Sequence, residues 1–350
     1  MRINKINDIL NNTKEYIKNP GYSNFNDIAL DLYDLHRLHN KNYKKYSIGK
    51  LDDWHDIPLV PSYEFSKRKL QLDNFNGFDP TNEVEFISRG TKPKHHVLRD
   101  TEFLRSAITS NFQFGATDLN QSNKIVFLDN KKPHALVSYI NEYVSSINDF
   151  RGIYEYVDPN DKKSVEEFIT AQSLEQYVAP LLIIGTPNQF YQFKLTVDSL
   201  DANPIIQSPF GYTMIIQFGD YLEEPRMDVT YYELNDWLSH FFNTSSMNRI
   251  VQVYYKTELS SQLFRWGERL TSYVPHTISV RVLDPDTGKE LPPGVEGNLA
   301  FIDIANVWSC PFIISDDLGI MYDVPQQVQI TRKSNEIIKT GVNPKQNYYV

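Results

Sequence analysis

From Glu83 to Tyr255 the chain alternates short apolar runs with longer amphipathic ones, and this alternation restricts the fold more than any other feature. "EVEFIS", "KIVFL", "APLLIIG", "YTMIIQFG" and "RIVQVYY" have the length and apolar character of strands. Between them lie "DTEFLRSAITSNFQF", "PHALVSYINEYVSSI", "TPNQFYQFKLTVDSL" and "TYYELNDWLSHFF", which read as amphipathic helices. Strands separated by helices need crossover connections, so the pattern predicts an α/β fold with largely parallel sheets. "PLLII" is apolar at successive positions, as expected of a strand covered on both faces.

The flanks read differently. Residues 1–82 are expected to form a helical opening segment. In "FNDIALDLYDLHRLHN", Ile28, Leu32, Leu35 and Leu38 fall at helical spacing on one face, with Asn26 as N-cap. Pro58 and Pro61 in "IPLVPSYEF" then favour an extended, turning connection. Residues 83–274 would hold the α/β core, expected as two α/β layers with largely parallel sheets. After Pro275 the stretch "HTISVRVLDPDTGKELPPGVEGNLAFIDI" alternates in short runs with turns at 284–288 and 292–294. It predicts antiparallel hairpins in a β-rich subdomain over 275–330. Residues 331–350 remain as a C-terminal stub.

Composition narrows the function classes. Hydrophobic residues at 41% and aromatics at 13% suffice for a large packed core. A formal charge of −9 disfavours a nucleic-acid binder, and "NYKKY" and "FSKRKL" read as solvated basic faces. The one cysteine, Cys310, allows no intrachain disulfide and no cysteine-rich zinc site; it is expected on an apolar strand as inert packing. "MRINKINDILNNTKEYI" lacks the apolar core of a signal peptide, and no run reaches a membrane span, so a soluble cytoplasmic protein is expected.

Three constellations can carry chemistry. In "FISRGTKPKHH" a strand ends in Ser-Arg-Gly-Thr-Lys: either a phosphate loop, where Gly lets backbone approach an anion, or a plain strand-to-turn transition. Walker A spacing is absent. His95 and His96 are adjacent, so on a strand they point to opposite faces and cannot share a metal; structural or loop roles are expected. In "VYYKTELSS", Thr257 and Glu258 follow a strand, as a phosphate contact and a Mg²⁺ ligand or as a helix N-cap. In "PFIISDDLG", a strand delivers Asp316 and Asp317 to a turn closed by Gly319, with Arg332 downstream: a ribose clamp or an acidic surface hairpin.

The order of these pieces resembles the adenylate-forming superfamily, and more narrowly the acyl-protein synthetase family of bacterial bioluminescence operons and the related phenylacetate-CoA ligases. "WHDIPLVPSYEFSK", "RGTKPKHHVLRDTEFLRSAI", "VYYKTELSSQLF" and "TRKSNEIIKTGVN" are similar to its motifs. "VRVLDPDTGKELPPGVEGNLAFIDIANVWSCPFIISDDLG" is the longest match. The resemblance implies a large adenylate-forming N-terminal domain, with the C-terminal domain missing or vestigial. It implies ATP and Mg²⁺, with a fatty or aryl carboxylic acid activated to an acyl-adenylate. The acyl group would then pass to a thiol of a partner reductase, an acyl-carrier protein or coenzyme A. Carried over by position, Ser88, Gly90, Thr91 and Lys92 hold the triphosphate, Tyr254 faces adenine, Thr257 contacts phosphate and Glu258 binds Mg²⁺. Asp317 holds the ribose and Arg332 assists.

The sequence also departs from the family pattern. Arg89 stands where a small residue is usual, the loop is shortened and lacks its second glycine, and Tyr255 replaces a glycine. Thr331 and Ser334 replace the hinge glycine and aspartate, and no cysteine follows Cys310 to accept an acyl group. These departures leave a second expectation open, a non-catalytic homologue that binds a ligand or serves as a scaffold.

Overall fold

The computed structural model describes residues 3–21, 23–73, 83–88, 94–115, 124–129, 138–140, 142–143, 153–174, 181–200, 213–219, 229–242, 249–267, 269–322 and 327–333. Its helices in chain order are α1 (Ile3–Lys18), α2 (Phe25–His39), α3 (Thr101–Gly115), α4 (Lys162–Leu174), α5 (Pro187–Asp198) and α6 (Tyr231–Phe241). Its strands begin with β1 (Val60–Pro61), β2 (Glu83–Ile87), β3 (His96–Asp100), β4 (Lys124–Leu128) and β5 (Ile153–Val157). They continue with β6 (Leu181–Gly185), β7 (Thr213–Phe218), β8 (Ile250–Tyr254), β9 (Leu263–Trp266) and β10 (Ser272–Tyr273). The last four are β11 (Ile278–Leu283), β12 (Glu296–Asp303), β13 (Phe312–Tyr322) and β14 (Gln327–Lys333). Two compact units result, one from residues 1–114, 256–263 and 271–350, the other from 115–255 and 264–270.

The second unit is the α/β layer that the alternation predicts. Its strands run in the order β9-β8-β7-β6-β4-β5, and every pair from β8 to β5 is parallel. All five residues of β4, of β6 and of β8 are buried, which explains runs such as Ile125–Leu128 and Leu181–Ile184; Lys124 and Gln252 are buried polar exceptions. Capping boxes start α5 and α6: Thr186 with Gln189, and Thr230 with Glu233, each pair answering the other's backbone amide. Phe168, Phe190, Phe193, Phe241 and Phe242 fill the core between helices and sheet. Strand β5 and helix α4 escape the sequence reading. "IYEYV" puts a Glu mid-strand, and "KKSVEEFITAQSL" carries few large apolar residues. Of the helix expected over 133–147, residues 138–140 and 142–143 are described and are helical.

The first unit joins α1, α2 and α3 to an antiparallel sheet of order β11-β12-β13-β14-β10. The hairpin predicted after Pro275 is present as β11 and β12, paired from Ile278↔Asp303 to Leu283↔Asn298. Gly288 in the connecting turn and Gly294 just before β12 adopt φ of 66° and 84°, which only glycine enters cheaply. β13 is shared along its length: Ile313 and Ile314 lie parallel to Val60 and Pro61, while Asp317 to Tyr322 pair with β14.

Several local expectations are corrected. The run "EVEFI" does not enter the parallel sheet; it pairs antiparallel with β3 as a separate two-stranded hairpin. Gly319 closes no turn, because β13 continues through it to Tyr322. A Cβ there would sit 2.6 Å from the Gln329 carbonyl oxygen and 2.7 Å from Leu299, so glycine serves close strand approach at a bulge. The cap of α2 is Asn24, which accepts from Asn26 N, and Asn26 Oδ1 instead accepts from Trp54 N at 3.0 Å. Ile28, Leu32 and Leu35 are buried as expected, but Leu38 is 47% exposed and the face continues through Ala29, Tyr33 and His36. The two basic clusters are not merely solvated: Lys45, Lys67 and Arg68 surround the buried Glu64 carboxylate. Cys310 precedes β13 rather than lying on a strand. It is fully buried, and burial pushes its thiol up to about 12.

His36 gives the first unit an acid sensitivity. Its Nε2 donates to the Val307 carbonyl at 3.0 Å and its Nδ1 accepts from the Asn40 amide at 3.1 Å, fixing a neutral ring. Burial pushes its pKa down to about 3. Below the ordinary value of about 6.5 the unfolded chain takes up a proton that the folded chain refuses, so stability falls as pH drops through the window from 6.5 towards 3. Between pH 7 and pH 5 the wild type is expected to lose about 2 kcal/mol more than His36→Gln, measured by denaturant unfolding. Equal losses in the two proteins would remove this assignment.

Candidate functional site

The candidate site in the first unit grows from the segment 256–262, which follows β8. A helix N-cap is one expectation for Thr257-Glu258, but no helix follows; Leu259 N closes a turn onto the Lys256 carbonyl at 3.0 Å. Buried polar side chains fix this turn. Asp303, at the end of β12, accepts from Ser260 N at 2.6 Å, from Ser261 N at 2.9 Å and from Ser261 Oγ at 2.7 Å. Asn306 donates to the Glu258 carbonyl at 3.0 Å and to the Cys310 carbonyl at 3.0 Å. Arg99, on β3 and only 2% exposed, donates to Thr257 O at 2.6 Å and to Asn306 Oδ1 at 2.7 Å. Burial pulls its guanidinium down to about 10, while Asp303 and Glu258 support its charge. For Asp303, burial pushes the carboxyl above its usual range, and the Ser261 amide and hydroxyl, the Arg99 charge and the Ser260 amide oppose that rise. A low-dielectric network of this kind rigidifies the backbone it holds.

Glu258 points from this turn to His95, whose Nδ1 donates to the carboxylate. Burial alone would push Glu258 up, but the His95 hydrogen bond and the Lys256 charge hold it below the usual carboxylate range. His95 is placed by the β2–β3 hairpin: its backbone N donates to Ser88 Oγ at 2.9 Å, and Ser88 N donates to its carbonyl at 3.0 Å. The short hairpin therefore carries Ser88 to the same place as Glu258.

The acidic pair joins from β13. Lys256 Nζ donates to Ser315 Oγ at 2.9 Å, to Asp317 Oδ2 at 2.9 Å and to Asp316 Oδ1. Ser315 Oγ accepts from Asp317 N at 3.0 Å and donates to its Oδ2 at 3.1 Å. Asp317 and Lys256 have side chains only 5% and 8% exposed, whereas Asp316 is 35% exposed.

Of the residues expected from sequence, Ser88, Thr257, Glu258 and Asp317 are thus brought together. Gly90, Thr91 and Lys92 lie outside the described residues. Arg332 sits on β14 opposite Leu318, one register position from the Asp317↔Lys333 pair; its side chain is outside the description. Tyr254 ends β8 in the second unit and is buried. There the Tyr255 ring packs edge-on against Phe218 and over Gly219, whose φ is 101°. Sequence reasoning missed Lys256, Arg99, Asp303 and Asn306, and gave His95 only a structural or loop role. A charged residue inside the conspicuous Tyr-x-x-Thr-Glu stretch was the available signal for Lys256; the others take meaning only from tertiary contact.

Among the described residues no group of three or more His, Cys, Asp or Glu could hold a metal by itself. A single ionised carboxylate, as Glu258 offers, suits Mg²⁺ carried in on phosphates, because that ion is commonly bound by one or two carboxylates plus substrate oxygens. No described helix is long and apolar enough to cross a membrane.

Residues 15–346 match the family model described as acyl-protein synthetase, LuxE. The chain belongs to the acyl-protein synthetase family. A relative, the long-chain-fatty-acid–luciferin-component ligase of Aliivibrio fischeri, is 23% identical over 90% of the chain and 85% of its own length. Among solved structures, a 2-hydroxyisobutyryl-CoA ligase in the postadenylation state superposes with a TM-score of 0.63 at 10% identity, covering 88% of this chain and 67% of that one. The ATP-bound RpMatB-BxBclM chimera B3 gives 0.50 at 16% identity over 71% of the chain. The chain spans about half the chimera's length, 47%. The α/β fold is therefore that of adenylate-forming ligases.

Proposed function

We propose that this chain activates a carboxylic acid with ATP and passes the acyl group to a thiol on a partner protein or on coenzyme A. The observation that carries the reading is the meeting, in one unit of a chain of this family, of Glu258 with the hairpin of Ser88 and of Lys256 with Asp317. The Aliivibrio fischeri relative, a long-chain-fatty-acid–luciferin-component ligase, supports a long-chain fatty acid as the acid. A single buried cysteine in a chain of net charge −9 suits a cytoplasmic enzyme whose acceptor thiol is elsewhere, an acyl-carrier protein or a reductase included.

In the first step a carboxylate oxygen of the acid attacks the α-phosphorus, and the bond to the bridging oxygen breaks as pyrophosphate leaves. Two anions must meet, so the protein contributes mainly positioning and charge neutralisation. Ser88, Gly90, Thr91 and Lys92 would hold the triphosphate, and Thr257, whose backbone Arg99 fixes, would donate to a phosphate oxygen. Glu258 would ligate Mg²⁺, which when bound screens phosphate charge. Asp317 would accept from ribose hydroxyls with Arg332 beside it, and Tyr254 would face the adenine.

The test is direct. Purified protein with Mg-ATP and a panel of fatty and aryl acids is expected to form hydroxamate with hydroxylamine and to catalyse ATP–pyrophosphate exchange. Neither signal with any acid would end this reading in favour of a non-catalytic homologue.

A further inference from the structure

Adjacent carboxylates repel, and burying one of them raises the cost of ionising both. Here the Lys256 ammonium stands against both Asp316 and Asp317. An ammonium offers three donors and no acceptor, and three acceptors of one strand, at Ser315, Asp316 and Asp317, lie around it. Ser315 completes a closed loop: it accepts from Lys256, accepts from the Asp317 amide and donates to the Asp317 carboxylate. The Asp317 side chain is thereby set in one orientation as an acceptor. Lys256 also precedes Thr257 and Glu258 directly in the chain. Its side chain is consequently a cross-link between the turn bearing those residues and the strand bearing Asp317.

We infer that Lys256 is a positioning residue for nucleotide recognition, orienting the Asp317 carboxylate toward the sugar while tethering it to the Thr257-Glu258 turn. The inference rests on the proposed ATP reading and adds to it the residue that makes the sugar contact effective. Without the ammonium, the two carboxylates turn apart and Asp317 loses the orientation that a ribose hydroxyl requires. A buried ion pair with only a structural part would lower stability without changing how the protein tells one sugar from another.

Isothermal titration of the full chain with Mg-ATP, Mg-2′-deoxy-ATP and Mg-3′-deoxy-ATP separates the two. For the wild type, loss of the hydroxyl facing Asp317 is expected to weaken binding about tenfold or more, the scale of a hydrogen bond to a charged group. In Lys256→Met, ATP binding is expected to weaken about tenfold and the preference for the ribonucleotide to shrink to within about twofold. Lys256→Arg is expected to restore most of both. Should Lys256→Met fail to fold, Lys256→Gln, which keeps a donor for Ser315, replaces it with the same expectation. Unchanged sugar discrimination in the folded variant overturns the inference. A wild type that binds ATP with this discrimination but shows no turnover overturns only the proposed reaction, and a wild type that binds no ATP overturns both.

Discussion

Glu258→Gln is expected to lower ATP–pyrophosphate exchange by about 10²–10³-fold while leaving the melting temperature within a few degrees. The substitution keeps size and an oxygen facing His95 but removes the ionised carboxylate. That carboxylate is the feature in question: it is 3% exposed and held below its usual range despite burial. A structural glutamate would tolerate the isostere, because the His95 ring could still donate to the amide oxygen. Exchange within twofold of wild type would show that a hydrogen-bond acceptor suffices, and the role of Glu258 as a metal ligand would fall.

The second large effect is on folding. Arg99→Leu is expected to destabilise the first unit by about 3–5 kcal/mol, the range seen when one partner of a buried charged network is removed. The guanidinium is bonded to Thr257 O and Asn306 Oδ1 and faces the charges of Asp303 and Glu258. Leucine leaves two buried carboxylates without that neighbour and frees the Thr257 carbonyl. Denaturant unfolding measures the loss. A change below about 1 kcal/mol would mean the network carries no net weight, as happens for some buried ion pairs.

The parallel layer is readable because burial on both faces writes itself into the chain as apolar runs, as in Ile125–Leu128 and "LLIIG". The hairpin after Pro275 was readable from its turn residues, with Gly288 and Gly294 placed where positive φ is needed. What stayed hidden has a common cause. Strand β5 and helix α4 are half-wet elements whose polar residues break the apolar pattern. Gly319 reads as a turn residue, yet it is a strand residue whose missing side chain admits Gln329 and Leu299, and only the partner strand reveals that. Glu258 and Asp317 were found by motif order. Arg99, Asp303 and Asn306 lie within matching stretches but act through contacts such as Arg99 with Thr257, far apart in sequence. Lys256 sits in the middle of the Tyr-x-x-Thr-Glu stretch, and a lysine's partners cannot be read from its own neighbourhood.

One feature of the sheet bears on how the carboxylates reach their places. Strand β13 meets Val60 and Pro61 with its first half and β14 with its second. The first of these pairings closes a very long loop, and such closures are entropically costly and slow to form. Docking of Val60 and Pro61 onto β13 is therefore expected late in folding, after the acid-bearing strand has paired with its chain neighbours β12 and β14.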